Sequence, residues 1–232
     1  NKMIDSSKIT IESTKDSYES VKNSYMPKFN LGAGYSNNNY ETSGYPRNSA
    51  KVEGSVDYTL YDGGKKDNIY DSYEASIKKE GESLEDLKNQ IAIQVTNYYY
   101  NYLSYVAQKE VKLQEIEQLE AQYVRLKKFL DAGTVTEDEV QKIISNIQTA
   151  KVALHEIDLN IETINHNLEY VIGKTVSIEK GSKIDEYDST QNKLRADIKA
   201  IEYELESLKA DAKATKSGKL PKVSLNNTYS YN

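Results

Sequence analysis

Two periods alternate along this chain, and their order carries most of the information. Ile4, Ile11, Tyr18 and Tyr25 recur every seven residues, with Val21 in the intervening slot. That spacing predicts the end of an amphipathic helix over 1–26, stopped by Pro27. From there the period falls to two. Phe29, Leu31, Ala33 and Tyr35 alternate with Asn30, Gly32, Gly34 and Ser36; Val52, Val56, Tyr58 and Leu60 alternate with Lys51, Glu53, Ser55, Asp57 and Thr59. Each run is about 10 residues, the length of a tilted membrane-crossing strand. The stretch between them, with Gly44 and Pro46, reads as the turn of a hairpin occupying 27–64.

The helical period then returns for much longer. An apolar stripe from Tyr70 through Ile91, Tyr102 and Ile116 to Leu130 predicts one helix over 65–131, about 100 Å at 1.5 Å per residue. A helix of that length spans a gap or lines a tube. Ala132-Gly133-Thr134-Val135 reads as a tight turn with Gly133 as helix stop, and Thr136 with Glu139 as a capping box for the next helix. That helix carries Val140, Ile143, Ile147, Ala150, Leu154, Ile157, Ile161, Ile164, Leu168 and Val171 at coiled-coil spacing, so 65–173 is an antiparallel helical hairpin. Residues 174–190 read as an irregular linker. Over 191–219 a further helix is expected, with Leu194, Ile198, Ile201, Leu205, Leu208 and Ala212 as its apolar seam, and over 220–232 a third strand with Val223 and Leu225 on its apolar face.

An internal repeat organises these elements. Residues 27–38 read PKFNLGAGYSNN and 221–232 read PKVSLNNTYSYN, with six identities at an offset of 194, each following a heptad-patterned helix. The implied plan is a tandem duplication of helix, hairpin and long helical pair. The chain then holds one unit and the start of another, and the complete protein is expected to run well past Asn232.

Composition adds exclusions. Charged residues are 28%, both signs are interspersed and the net charge is −6, with no basic block, which argues against nucleic acid as a partner. There is no cysteine, hence no disulfide or thiolate metal site. His155 and His166 lie eleven apart on one predicted helix, outside metal-ligand spacing, and read as surface residues. No nucleophile-base set or phosphate loop appears, so no enzyme and no cofactor is expected. Asp185, Glu186 and Asp188 read as a solvated loop cluster. Tyr98 and Tyr102 belong to the helical stripe, and Tyr99, Tyr100 and Tyr105 read as packing between neighbouring helices. The 20 tyrosines against 2 Phe and no Trp fit either an aromatic girdle at a membrane boundary, with Tyr35, Tyr40, Tyr45 and Tyr58, or a plain compositional bias.

Strands with one apolar face and free edges are unstable alone, so closure in a membrane calls for more strands and more chains. Two repeats in each of three chains supply about twelve strands, inside the range of bacterial barrels. Here the order of motifs resembles a known family. SYMPKFNLGAGYS (24–36), YTLYDGGKKDNI (58–69), LDAGTVTEDEV (130–140) and LRADIKAIE (194–202) resemble, in sequence and spacing, the TolC or outer membrane factor family. The last departs from the family's usual RPDI-x-x-x-E in having Ala196 for Pro.

The resemblance implies a mainly α fold with β: long antiparallel coiled-coil helices forming the wall of an α-barrel, plus strands of a transmembrane β-barrel. It implies a homotrimer in the outer membrane of a Gram-negative-type bacterium, its helices in the periplasm. Function would be a passive conduit in efflux or type I secretion, docked to a periplasmic adaptor and an inner-membrane pump. It places Glu139, followed by Val140, at the family's periplasmic gate acid, and Gly133, Thr134 and Val135 at its adaptor-contacting tip. Glu139 reads equally as a helix-start acid. Phe29, Leu31, Tyr35, Val52, Val56, Tyr58, Leu60, Val223 and Leu225 become the lipid-facing positions. The competing reading is a coiled-coil structural protein or trimeric adhesin. In such a protein the barrel lies at one chain end, whereas here the hairpin interrupts helices and recurs.

Overall fold

The computed structural model describes residues 1–37, 48–179, 181 and 194–231. Its elements are α1 (Lys2–Ser24), β1 (Lys28–Asn37), β2 (Asn48–Tyr61), α2 (Lys65–Asp131), α3 (Glu137–Ile172), α4 (Ala196–Ser217) and β3 (Val223–Tyr231). The chain forms two compact units, Asn1–Met3 with Leu87–Asn192, and Ile4–Asp86 with Lys193–Asn232. Tyr40, Tyr45, Asp185, Glu186 and Asp188 lie outside the described residues. Among those described, no helix is long and apolar enough to cross a membrane.

The first unit is the pair formed by the later part of α2 and α3. The seam expected on α3 is where burial occurs: Val140, Ile143, Ile147, Ala150, Ile164, Leu168 and Val171 are buried, together with Ile116 of α2. Lys109–Asp158 and Lys151–Glu120 pair across the two helices at 2.7 and 2.9 Å. Exposed pairs of this kind contribute little, so the apolar seam carries the association. α3 ends at Gly173, whose φ of 84° lets its N–H reach Glu169 O at 2.7 Å.

The second unit layers three helices beside a three-stranded sheet. The opening turns of α2 have α1 on one side. Tyr18 stacks on Tyr73, meets Tyr70 edge-on, and donates its hydroxyl to Glu74 at 2.9 Å. On the opposite side lies α4. There Ser207 Oγ lies 3.0 Å from both Ser72 Oγ and Ser76 Oγ, and Lys79–Glu204 and Lys199–Glu82 pair alongside.

This contact corrects the expected seam of α4. The buried residues are Ala200, Ser207, Ala210, Ala214 and Ser217, whereas Leu194, Ile198, Ile201, Leu205 and Leu208 are exposed, Ile201 at 66%. The facing residues of α2, Ser72 and Ala75, are small as well. Two helices that meet through Ala and Ser approach closely, and close approach is what this packing exploits. The large residues point the other way.

The sheet is antiparallel, in the order β1-β2-β3. At its helix end Asp62-Gly63-Gly64 turns the chain from β2 into α2. Gly63 and Gly64 have φ of 76° and 78°, and Asp62 Oδ2 accepts the Lys66 N–H at 2.9 Å, supplying the helix start. A Cβ on Gly63 would lie 2.8 Å from Leu220 Cβ and 2.8 Å from Ser217 O, so this turn packs directly on the α4–β3 junction.

Candidate functional site

Strand register sorts the sheet into two chemically distinct faces. Phe29 pairs with Val56, Leu31 with Gly54, Ala33 with Val52 and Tyr35 with Ala50. On the other edge of β2, Tyr58 pairs with Leu225, Gly54 with Tyr229 and Val52 with Tyr231. Paired residues share a face and side chains alternate along each strand. One face is therefore mainly apolar across the three strands, interrupted by Asn227 opposite Val56, and it is open: Leu31 is 88% and Phe29 77% exposed, with Tyr35, Val52 and Leu225 also exposed. Val56 and Tyr58 are half-buried.

The register shifts between Thr59 and Tyr61, leaving Leu60 without a β3 partner and setting Tyr61 against Val223. Leu60 thus leaves the alternation expected of it, and Tyr61 joins the apolar face. A one-residue shift at a bulge exchanges the two sides of a strand.

Tyrosines stand at both ends of this face. Tyr58 and Tyr61 sit at the helix end and Tyr35 at the far end, where it donates to Asn48 Oδ1 at 3.1 Å, while Tyr229 and Tyr231 share rows with Leu31 and Val52. Phe29, Leu31, Val52 and Val56 occupy the rows between, with Asn227 beside Val56 and Leu225 beside Tyr58. Alternation in the sequence flags Tyr229; Tyr61 required the bulge.

The opposite face is polar and bonded to itself. Asp57 takes Asn30 Nδ2 on Oδ2 at 3.1 Å and Asn226 Nδ2 on Oδ1 at 2.6 Å, so one carboxylate bridges three strands. Ser36 and Ser49 hydroxyls meet at 2.7 Å, and Lys51 pairs with Glu53 at 2.6 Å. Such a layer satisfies its polar groups in contact with water.

In the other unit, the turn between α2 and α3 closes by a Schellman motif. Gly133, at φ 72°, donates its N–H to Leu130 O at 2.8 Å, and the Thr134 N–H reaches Phe129 O at 2.9 Å. Thr134 Oγ1 donates to the same carbonyl at 3.0 Å. Val135 is half-buried. The expected capping box is absent: Thr136 has N-cap backbone angles but makes no side-chain cap. Thr134, two residues earlier, uses its hydroxyl to finish α2 instead. Glu137, Asp138 and Glu139 occupy the first turn of α3, where acids suit the helix N-terminus. Glu139 is exposed and its neighbour Val140 buried, so the carboxylate points to the surface of the turn.

Of the tyrosines read as helix packing, Tyr98, Tyr99, Tyr102 and Tyr105 are half-buried, while Tyr100 is exposed. Tyr99 has a role the pattern did not show. Its hydroxyl donates to Glu179 O at 3.3 Å and accepts the Gly181 N–H, tying the segment after α3 to α2. His155 and His166 are exposed. Among the described residues no group of His, Asp and Glu is placed to hold a metal.

The outer membrane efflux protein family model matches residues 1–174. The fold is that of solved outer-membrane channels. The Campylobacter jejuni CmeC outer membrane channel is 18% identical, with a TM-score of 0.83 over 100% of this chain and 54% of that one. The Vibrio cholerae outer membrane protein VceC is 15% identical, TM-score 0.84, over 97% and 58%. CusC, whose structures concern folding and transmembrane channel formation, is 15% identical, TM-score 0.85, over 99% and 56%. The chain thus spans little more than half the length of these proteins. No curated protein matches the sequence.

Proposed function

This chain belongs to the outer membrane efflux protein family, and from that membership we propose that it is wall material of a trimeric conduit. The whole protein would pass solutes or proteins passively across the outer membrane and the periplasm. It would dock there with a periplasmic adaptor and an inner-membrane pump. The family is one of outer-membrane channels and not of enzymes.

The observation that carries the reading is the two-faced sheet. An apolar face left open, rimmed by tyrosines at both ends and backed by a hydrogen-bonded polar face, suits lipid outside and water inside. Phe29, Leu31, Tyr35, Val52, Val56, Tyr58, Val223 and Leu225 then face lipid, as does Tyr61, while Leu60 sits at the bulge. Asp57, Asn30 and Asn226 face the lumen. The free edges of β1 and β3 are closed by strands of the second repeat and of other copies. The adhesin alternative is not carried forward, because β3 joins the same sheet as β1 and β2 after a helical excursion.

At the helical turn, Gly133, Thr134 and Val135 form the adaptor-facing tip, and Glu139 is the gate acid of this repeat. Three copies of Glu139 around one axis would place like charges in a constriction, where their effect on ions is strong.

The full-length protein, reconstituted in planar bilayers, is expected to give discrete conductance steps. A protein that inserts but never conducts overturns the reading. Glu139→Gln is expected to change cation selectivity or the closed fraction. Unchanged conductance, selectivity and closure would leave Glu139 only a helix-start acid.

A further inference from the structure

Charge is spread very unevenly along α2. Residues 65–88 hold 12 charged side chains in 24 positions and residues 109–131 hold 10 in 23, but residues 89–108 hold none in 20. Six carboxamides (Asn89, Gln90, Gln94, Asn97, Asn101, Gln108) and five tyrosines stand in that stretch instead. Burial does not account for the missing charge, because Gln90, Ile93, Gln94, Asn97 and Asn101 are all exposed.

Three sides of α2 are distinct here. α3 lies along the line of Lys109, which pairs with Asp158 at 2.7 Å, and Ile116, which is buried. Heptad steps carry that line back to Tyr102 and Val95, both half-buried. Tyr99 marks a second side, where its hydroxyl bonds Glu179 O and the Gly181 N–H of the segment that follows α3. The third side is an open groove of about 360 Å³, lined by Gln90, Ile93, Gln94, Asn97, Tyr98 and Asn101. Its four carboxamides follow one another at steps of four, three and four, which makes one stripe. At 3.6 residues per turn they lie about 140–180° round the helix from Tyr99. Within the groove Gln94 Nε2 donates to the Tyr98 hydroxyl at 3.2 Å.

We propose that Gln90, Gln94, Asn97 and Asn101 form a carboxamide ladder lining the bore of the conduit, where polar solutes exchange hydrogen bonds in transit. This rests on the conduit reading. A helix in the wall of a tube has lateral neighbours, an outer side and a side toward the bore. α3 takes a lateral side. A segment joining two helices runs outside the wall, because inside it would obstruct the bore. Tyr99 therefore marks the outer side, and the carboxamides opposite it face inward. Each carboxamide both donates and accepts, so it bonds cationic, anionic and uncharged solutes alike. Carrying no net charge, it holds none of them by long-range attraction. Ile93 and Tyr98 add apolar surface beside the stripe. What this stripe selects is hydrogen-bonding capacity and shape, whereas the proposed gate acid Glu139 acts on the sign of charge.

The test uses the full-length protein in planar bilayers under a potassium chloride gradient, where the reversal potential reports the ratio of cation to anion permeability. Asn97→Asp is expected to raise that ratio by about twofold or more, and Asn97→Lys to lower it by as much, because a charge inside a bore acts on every passing ion. Ala92, one heptad before Tyr99 and exposed, is the comparison on the outer side. Ala92→Asp and Ala92→Lys are expected to leave the ratio unchanged. No shift at Asn97, or an equal shift at Ala92, overturns the assignment. Should the Asn97 variants fail to assemble, Gln94→Cys decides. A cationic methanethiosulfonate added after insertion is expected to step its single-channel current down, with no step in Ala92→Cys or in the unsubstituted protein. A Gln94→Cys channel that gives no step, or an Ala92→Cys channel that gives the same one, also overturns the proposal. An unsubstituted protein that inserts and never conducts removes the conduit reading; conductance indifferent to Asn97 and Gln94 removes this inference alone.

Discussion

Two glycines separate two reasons for needing glycine. Gly133 and Gly63 both have positive φ, but a Cβ on Gly133 meets nothing within 4 Å, whereas one on Gly63 meets backbone and Leu220 at 2.8 Å. Gly133→Ala is expected to cost about 1 kcal/mol, the conformational term alone. Gly63→Ala adds a steric clash with backbone and is expected to cost about 3 kcal/mol or more. Thermal unfolding of the two variants, followed by circular dichroism in detergent, checks the order. Tyr18 supplies a pH effect. Burial first, and then its hydrogen bond to Glu74, raise its pKa above 10.0. The folded state therefore holds the proton more tightly than the unfolded chain does. The stability this contributes is complete below pH 10 and is lost as pH rises through the folded value. Tyr18→Phe is expected to be less stable by about 1 kcal/mol at pH 8, one hydrogen bond. The gap to the unsubstituted protein should close at strongly alkaline pH, as read from melting curves across that range.

Among the elements, the strands show how far alternation carries. It assigns the two faces from sequence because side chains have period two, and only the register shift at Leu60 escapes it. The helices are less transparent. On α3 the large apolar residues are the buried ones, so pattern and packing agree. On α4 the pattern marks Leu194, Ile198, Ile201, Leu205 and Leu208, while the contact made is through Ala and Ser. Hydropathy ranks Leu above Ala, but closeness of approach depends on size, and no periodicity of large residues reveals a small-residue face. Ala210→Leu is expected to destabilise the α2–α4 contact by about 1–3 kcal/mol through overpacking.

For the molecule as a whole, the open apolar face and free strand edges mean that this chain reaches its stable state only with more strands around it. Asp57, shared by β1, β2 and β3, holds their common register on the polar side. Asp57→Leu removes both bridges and leaves Asn30 and Asn226 without their acceptor. It is expected to lower the yield of the proposed multi-chain assembly in outer-membrane fractions, read by native gel electrophoresis, whereas Asp57→Asn retains most of it.

The sequence by itself determined the element order, the strand faces, the long helical hairpin, the stop at Gly133 and the repeat at 194. All of these rest on local spacing and on glycine or proline at turns. Tertiary structure alone decided which face of each helix is used, that Thr134 rather than Thr136 spends its hydroxyl at the turn, that Tyr99 holds the segment after α3, and that Leu60 drops out of register. Each of these depends on what stands opposite a residue in space, and a pattern along one chain does not encode distance across it.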